Sequence, residues 1–227
     1  MPKGRRQPSG RPRPGSNPGP PGPQGRPESR KGVYLTRKLY ERWTARGMAP
    51  TRAVYFNRKI IHILAGGLVA ISLPLFSSWA IPVAMALLLS VFLYIPRRTG
   101  RLMYWFQTPD NAYEIHFTLS WALIVFLTWA VLGDLNVGIA AISFMAFGDA
   151  ATGIVRNALF GRRTKSWWGN LAMAAVSIPI GYIYAGPIGA LAGAVASVVE
   201  HFEWPPVDDN VTVPVVSFII MLLPRLL

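Results

Sequence analysis

The segment Val137–Leu159, with the sequence VGIAAISFMAFGDAATGIVRNAL, decides the fold of this chain. It is as long as a helix that crosses the hydrocarbon core of a bilayer, which takes roughly 17–25 mostly apolar residues. Similar runs recur from Ile60 onwards, and only 15% of the 227 residues are charged, whereas soluble domains carry about a quarter. The pattern predicts an all-α fold, a polytopic bundle of transmembrane helices.

The apolar runs predict seven spans. The fifth and sixth are short and rich in Gly and Ala, so we expect closely packed helices joined by a tight turn at residues 185–187, because small residues let helix backbones approach. The predicted spans are Ile60–Phe76, Trp79–Ile95, Ile115–Leu132, Val137–Leu159, Leu171–Tyr184, Ile188–Val199 and Val213–Leu226.

Two segments precede the predicted transmembrane catalytic domain, which covers residues 58–227. Residues 1–32 are dominated by Pro, Gly, Arg, Ser and Gln, a composition that predicts a disordered basic tail. Residues 33–57 mix aromatic and leucine side chains with Arg and Lys, which predicts an amphipathic segment on the membrane surface. The chain has no cysteine, which excludes disulfides, thiolate metal sites and cysteine nucleophiles.

The formal net charge of +13 is distributed as membrane topology would require. Fifteen of the 23 Lys and Arg residues lie in residues 1–59, and most others cluster in the second and fourth connections. With seven spans, these basic segments share the side of the N-terminus, and the positive-inside rule makes that side cytoplasmic. We therefore predict a multi-pass membrane protein with a cytoplasm-facing active site. The tail is expected to contact anionic lipid, and no specific nucleic acid is expected.

Ionisable residues lie where the first and fourth spans meet the cytoplasmic side. Arg58 and Lys59 precede the first span, where anchoring at the lipid headgroups is an alternative to a site role. His62 lies one turn inside that span, and an ionisable group there usually marks a site. Asp149, next to Gly148, lies within the fourth span, where an unpaired carboxylate would cost on the order of several kcal/mol. A buried helix–helix hydrogen bond is the alternative for Asp149.

The connection 160–170 combines cations with hydroxyl groups. Arginine and lysine in a glycine-containing loop suit phosphate oxygens, although an ordinary basic loop would have the same composition. The candidate phosphate ligands are Arg162, Arg163, Lys165 and Ser166.

Acidic residues on the predicted cytoplasmic side run against the local excess of positive charge. Glu200 directly follows the sixth span, and Asp208, Asp209 and Asn210 lead into the seventh. These are the hard oxygen ligands that Mg²⁺ prefers, especially where substrate phosphates complete its shell; a solvated acidic turn is the alternative. Cations for phosphates, carboxylates for a divalent metal and an apolar bundle for a lipid tail together predict phosphoryl or nucleotidyl transfer on a lipid.

The order and spacing of these motifs resemble the CTP-dependent polyprenol kinases, a family that includes dolichol kinases, phytol kinases and a CTP-dependent diacylglycerol kinase. The resemblance covers roughly residues 57–216. It rests on Arg58-Lys59 with His62, Gly148-Asp149-Ala150, Phe160-Gly161-Arg162, Lys165-Ser166, and Glu200 followed by Asp208-Asp209-Asn210 and Pro214. Trp168 and Asn170 stand where many relatives have a Glu and a Ser or Thr, so the role of that Glu is not carried over.

The resemblance implies transfer of the γ-phosphoryl group of CTP to the hydroxyl of a dolichol-like polyprenol, with Mg²⁺ or another divalent cation. By position, the metal ligands would be Asp149, Glu200, Asp208 and Asp209. The nucleotide and phosphate ligands would be Arg58, Lys59, Gly148, Arg162, Arg163, Ser166 and Asn210. The catalytic residues would be Asp149, His62 and Lys165, with His62 or Asp149 as the base.

Two other functions remain open from the sequence. A phosphatidate cytidylyltransferase-like enzyme would use the same CTP, metal and lipid but would make a CDP-lipid. A non-enzymatic transporter or membrane scaffold would use the basic tail for electrostatic attachment.

Overall fold

Backbone polar groups inside a bilayer must bond within their own segment, so long apolar runs fold as helices. In the computed structural model, which describes residues 35–161, 164–202 and 207–225, the described chain is helical and holds no β-strand. The predicted tail, residues 1–32, lies outside the described residues. The helices are α1 Leu35–Ala45, α2 Pro50–Ile71, α3 Ala80–Arg98, α4 Tyr113–Val131, α5 Leu135–Phe160, α6 Trp167–Val199 and α7 Asp209–Leu222.

Five of the described helices, α2 to α6, are long and apolar enough to cross a membrane. The all-α class and the membrane character follow from these helices. The 14-residue α7 is shorter than a bilayer-crossing helix requires, although a 3₁₀ turn, Leu223–Arg225, extends it. The count of seven spans and the cytoplasmic orientation stay predictions.

The first predicted span begins too late. Helix α2 starts at Pro50, because proline fits the first turn of a helix, where its missing N–H has no helical partner. The predicted surface segment 33–57 is therefore divided between α1 and the first two turns of α2. The two helices meet where the Trp43 ring packs edge-on against Phe56, with centroids 6.3 Å apart.

Helix α6 consists of two arms joined by a sharp bend, as the Gly- and Ala-rich sequence predicts. Ala185 and Gly186 leave the helical region, and Gly186 has φ 63°, which glycine adopts without a steric penalty. The arms, residues 167–184 and 187–199, approach so closely that a Cβ on Gly181 would overlap the carbonyl group of Gly189. Helix α6 is therefore a hairpin, and its two ends lie at the same end of the bundle.

Helix α5 occupies the centre of the bundle. Every residue from 137 to 146 is buried, and the helix packs against α2, α4, α6 and α7. Polar side chains further along α5 must therefore find partners inside the protein. A π-helical turn, Phe144–Gly148, precedes Asp149 in α5, and another, His62–Leu68, begins at His62 in α2. Such wide turns are frequent at functional sites.

Replacing Gly181 by Leu should destabilise the hairpin, because the new side chain would meet the backbone of Gly189, which cannot rotate away. Overpacking costs about 1–3 kcal/mol, and each kcal/mol lowers the Tm of a chain of this size by about 2–4 °C. Thermal unfolding of the detergent-solubilised protein measures the shift. Ala175→Leu, at an exposed position of the same arm, is the matched control; an equal fall in both variants would contradict the close approach.

Candidate active site

A buried ion pair joins α2 to α5. Lys59 Nζ donates to Asp149 Oδ2 at 2.5 Å, and the two side chains are 11% and 7% exposed. A charge inside an apolar bundle needs such a partner, because an uncompensated one is strongly destabilising. Gly153 makes the approach possible, since a Cβ there would overlap the Lys59 side chain and the Tyr55 hydroxyl.

His62 lies beside this pair, on the face of α2 that it shares with Lys59 three residues earlier. Its ring stacks on Phe117 of α4, with centroids 4.0 Å apart. Its Nδ1 is 3.6 Å from Asp149 Oδ2, which is beyond hydrogen-bonding distance, and it has no hydrogen-bond partner among the described residues. A buried imidazole with an unpaired nitrogen next to a carboxylate can serve as a proton acceptor.

Arg58 points in a different direction from Lys59, because adjacent helix positions do not share a face. Its guanidinium lies over the ring of Tyr113, 4.2 Å from the centroid, a cation–π contact. Arg58 still lines the same polar cavity as Lys59 and Asp149.

A second buried cluster joins α5 to both ends of α6. Arg156 Nη1 and Nη2 donate to the two carboxylate oxygens of Glu200 at 2.7 and 2.8 Å, the bidentate arrangement that suits arginine. Asn170 Nδ2 and Lys165 Nζ donate to the same carboxylate at 3.1 and 3.2 Å. Gly169 leaves the space that the Arg156 side chain fills. Burial raises the pKa of the Glu200 carboxyl, and Arg156 and Lys165 oppose that rise.

Three carboxylates approach one another between the two clusters. Asp149, Glu200 and Asp209 offer oxygen atoms that all lie within 4.8 Å of each other. Both oxygens of Glu200 already accept hydrogen bonds from Arg156 and Asn170 or Lys165. Asp149 and Asp209 are therefore the better placed of the three to hold a cation.

Two amide side chains add oxygen atoms that could coordinate a cation in this region. Asn157 and Asn210 line the same cavity and are 3% and 2% exposed. Their Oδ1 atoms have no hydrogen-bond partner among the described residues, although buried polar atoms normally do. Carboxylate and amide oxygens form the donor set that suits Mg²⁺, so these residues are chemically compatible with the cation that the motifs imply.

The two clusters and the acidic group line one polar cavity of about 670 Å³. Sites for small molecules typically have roughly 300–1,000 Å³, so the cavity is large enough for one. Its polar lining includes Arg58, Lys59, His62, Asp149, Arg156, Lys165, Glu200, Asp209 and Asn210.

Asp208 does not belong to this acidic group, although the sequence grouped it with Asp209. Its Oδ1 accepts from the backbone N–H of Asn210 at 3.1 Å, which caps α7, and its Oδ2 lies 2.8 Å from His116 Nδ1. Burial raises the pKa of the Asp208 carboxyl, and the His116 contact opposes that rise. Adjacent carboxylates at a helix start point apart, so only Asp209 reaches the cavity.

Gly148 and Ser166 serve packing and capping in this structure. A Cβ on Gly148 would overlap the Ser177 hydroxyl of α6, so Gly148 faces the neighbouring helix and does not line the cavity. The Ser166 hydroxyl accepts from the backbone N–H of Trp168 at 3.3 Å and caps α6. The predicted phosphate ligands Arg162 and Arg163 lie outside the described residues.

Arg156 and Asn157 are the residues that the sequence analysis missed. Arg156 follows Asp149 by seven residues, about two helical turns, so it lies on the same face. It is also an ionisable residue inside an apolar span, the criterion that singled out Asp149. Asn157 carries no comparable signal, because an amide near a helix end is common and only its neighbours give it a role.

The fold and the site together define an all-helical, membrane-type bundle with a polar cavity that is lined by buried, paired charges. Comparisons with protein-family models, with curated proteins and with solved structures found no match to this chain. The resemblance to the CTP-dependent polyprenol kinases therefore stays a prediction from the motifs.

Arg156→Ala should destabilise the bundle, because it leaves the Glu200 carboxylate buried without its bidentate partner. Removing one member of a buried ion pair costs about 3–5 kcal/mol. Thermal unfolding in detergent measures the loss, and Arg98→Ala, at an exposed cation, is the control. Adding Glu200→Gln to Arg156→Ala should recover part of the stability; a double variant no more stable than Arg156→Ala would argue against this cause.

Proposed function

We propose that this protein is a lipid-alcohol kinase that transfers the γ-phosphoryl group of CTP to the hydroxyl of a polyprenol-type alcohol. The observation that carries the proposal is the polar cavity, in which lysine and arginine lie beside Asp149 and Asp209 within a bundle of apolar helices. Phosphoryl transfer needs mainly positioning and charge neutralisation, which such a set supplies. CTP as the donor rests on the motif resemblance.

The cations of the cavity have distinct tasks under this proposal. Lys165, whose Nζ donates to the backbone oxygen of Glu200 at 2.7 Å, and Arg58 would bind phosphate oxygens. Asp149 and Asp209 would hold the divalent cation, which when bound neutralises charge on the β- and γ-phosphates. Lys59 holds the Asp149 carboxylate in position through their buried pair.

His62 is the candidate base in this proposal. Asp149 is the alternative, but its Oδ2 already accepts from Lys59, whereas His62 Nδ1 is unpaired among the described residues. As the lipid oxygen bonds to the γ-phosphorus, its proton passes to His62. The bond between the γ-phosphorus and the bridging oxygen breaks, and CDP leaves with that electron pair.

Purified protein with Mg²⁺ should transfer label from γ-³²P-CTP to a polyprenol, and Asp149→Asn should lower turnover at least 100-fold. Asp134→Asn is the matched control, because Asp134 caps the opposite end of α5 and asparagine caps equally well. Thin-layer chromatography of the extracted lipid measures the product. No labelled lipid from any alcohol would refute the kinase, and a lipid labelled from α-³²P-CTP would indicate cytidylyl transfer instead.

Asp209→Asn and Asp208→Asn should separate the two adjacent carboxylates. Loss of the Asp209 carboxylate should raise the Mg²⁺ concentration for half-maximal turnover at least tenfold. Even the replacement of a residue that only supports a metal ligand lowers metal affinity by about 10–100-fold. Asp208→Asn should leave that concentration within about twofold, because Asp208 bonds His116 and the start of α7. Titration of turnover against Mg²⁺ measures both, and the reverse order of effects would contradict the assignment.

A further inference from the structure

A second cavity, of about 680 Å³, lies between α2, α3 and α4 on the side of the bundle. Its outer wall is partly open, since Met85 and Phe92 of α3 are 55% and 48% exposed. We call this cavity the lateral groove. Its apolar lining includes Ala65, Val69, Pro82, Met85, Leu89, Phe92, Leu93, Phe117 and Trp121.

Polar groups collect at one end of the lateral groove. Glu114, only 4% exposed, lines the groove and accepts from Arg97 Nη2 at 2.8 Å and from Gln107 Nε2 at 2.9 Å. Thr118, one turn further along α4, lies 2.6 Å from the hydroxyl of Ser90. Glu114 and Thr118, which line the groove, lie in the first two turns of α4, and Arg97 lies in the last turn of α3. They mark the end of the groove that adjoins the polar cavity, whose lining includes Tyr113, the neighbour of Glu114.

His62 lines both cavities. One edge of its ring faces the Asp149 carboxylate in the polar cavity, with Nδ1 3.6 Å from Oδ2. The face of the ring stacks on Phe117, which is part of the apolar wall of the lateral groove. From His62 the groove follows α3 toward Pro82, away from the polar cavity. A ligand that is polar at one end and apolar along its length matches this layout, because its polar end would avoid the apolar walls.

We propose that the lateral groove binds the hydrocarbon chain of the acceptor lipid alcohol and places its hydroxyl at His62. The identity of the polar end as a hydroxyl rests on the proposed function. The volume lies within the roughly 300–1,000 Å³ of small-molecule sites, so the groove holds the part of the chain nearest the hydroxyl. The partly open wall along α3 lets the rest of a longer chain extend into the bilayer.

A photoactivatable long-chain alcohol, with a diazirine in its chain, tests this site on the full-length protein in lipid nanodiscs. After irradiation, mass spectrometry should find adducts concentrated on residues 85–93 of α3, and excess unlabelled alcohol should suppress them. The same chain without a hydroxyl should give at least fivefold fewer adducts there. Adducts spread over all exposed helix faces and insensitive to competitor would overturn the proposal, because they would report bulk lipid contact.

Ala65→Trp fills the lateral groove from α2 and should reduce the adducts on residues 85–93 at least fivefold. Met85→Trp narrows the groove from α3 and replaces Ala65→Trp as the test variant if Ala65→Trp fails to fold. Ala84→Trp is the matched control, since Ala84 is an exposed alanine of the same helix outside the groove lining. Undiminished labelling in a folded groove variant would overturn the site.

Turnover separates this proposal from the proposed function. With CTP as donor, Ala65→Trp should lower the ratio of kcat/KM for a long-chain alcohol to that for a short, water-soluble one at least tenfold. If no alcohol is phosphorylated but residues 85–93 are labelled and excess unlabelled alcohol suppresses that labelling, the kinase proposal is refuted and the groove proposal is supported. If an alcohol is phosphorylated but the labelling maps to other residues, the groove proposal is refuted and the kinase proposal is supported.

Discussion

The buried ion pair between Lys59 and Asp149 is the interaction on which this end of the bundle depends. A carboxylate in the central helix of an apolar bundle is tolerated only with its counter-charge beside it, and this requirement fixes α2 against α5. The contact also needs Gly153 to lack a side chain, since a Cβ would occupy the path of Lys59. Position 59 is therefore coupled to position 149 by charge and to position 153 by space, although it lies 90 residues from Asp149 in the sequence.

The hairpin of α6 brings together the second buried cluster of the site, in which Arg156 pairs with Glu200. A straight helix of 33 residues would be roughly 50 Å long and would carry Asn170 and Glu200 to opposite ends. Because the arms fold back at Gly186, both side chains meet Arg156 in one hydrogen-bonded cluster. The close packing of small residues between the arms thus has a direct consequence for the polar cavity.

The two cavities meet at His62, where the chemistry of the site changes from polar to apolar. On one side lie paired charges and two amide oxygens that have no hydrogen-bond partner in the described part of the chain, and these groups suit a phosphorylated ligand and a cation. On the other side lie the apolar walls of the lateral groove, with Glu114 neutralised by Arg97 at its polar end. Under the proposed function, this junction would let a lipid hydroxyl reach a phosphate donor without either ligand entering an unfavourable environment.

The sequence predicted the helices well because hydropathy is a local property. The bounds of α3 to α7 lie within about four residues of the predicted spans, and the cost of an ion in hydrocarbon singled out His62 and Asp149. Arg156 carries the same signal, because it is an ionisable residue inside the fourth predicted span. The start of α2 was missed because polar residues 50–59 weaken the hydropathy signal without preventing a helix.

The sequence by itself determined an all-helical bundle, with helices long and apolar enough to cross a membrane, and the positions of the ionisable residues within its apolar runs. Both depend only on which residues lie near one another in the chain. The tertiary structure decided which charges pair. It joined Lys59 to Asp149 and Arg156 to Glu200, placed Asp209 in the cavity and assigned Asp208 to His116 and the start of α7. Pairing depends on helix rotation and on contacts between distant segments, and no local pattern contains that information.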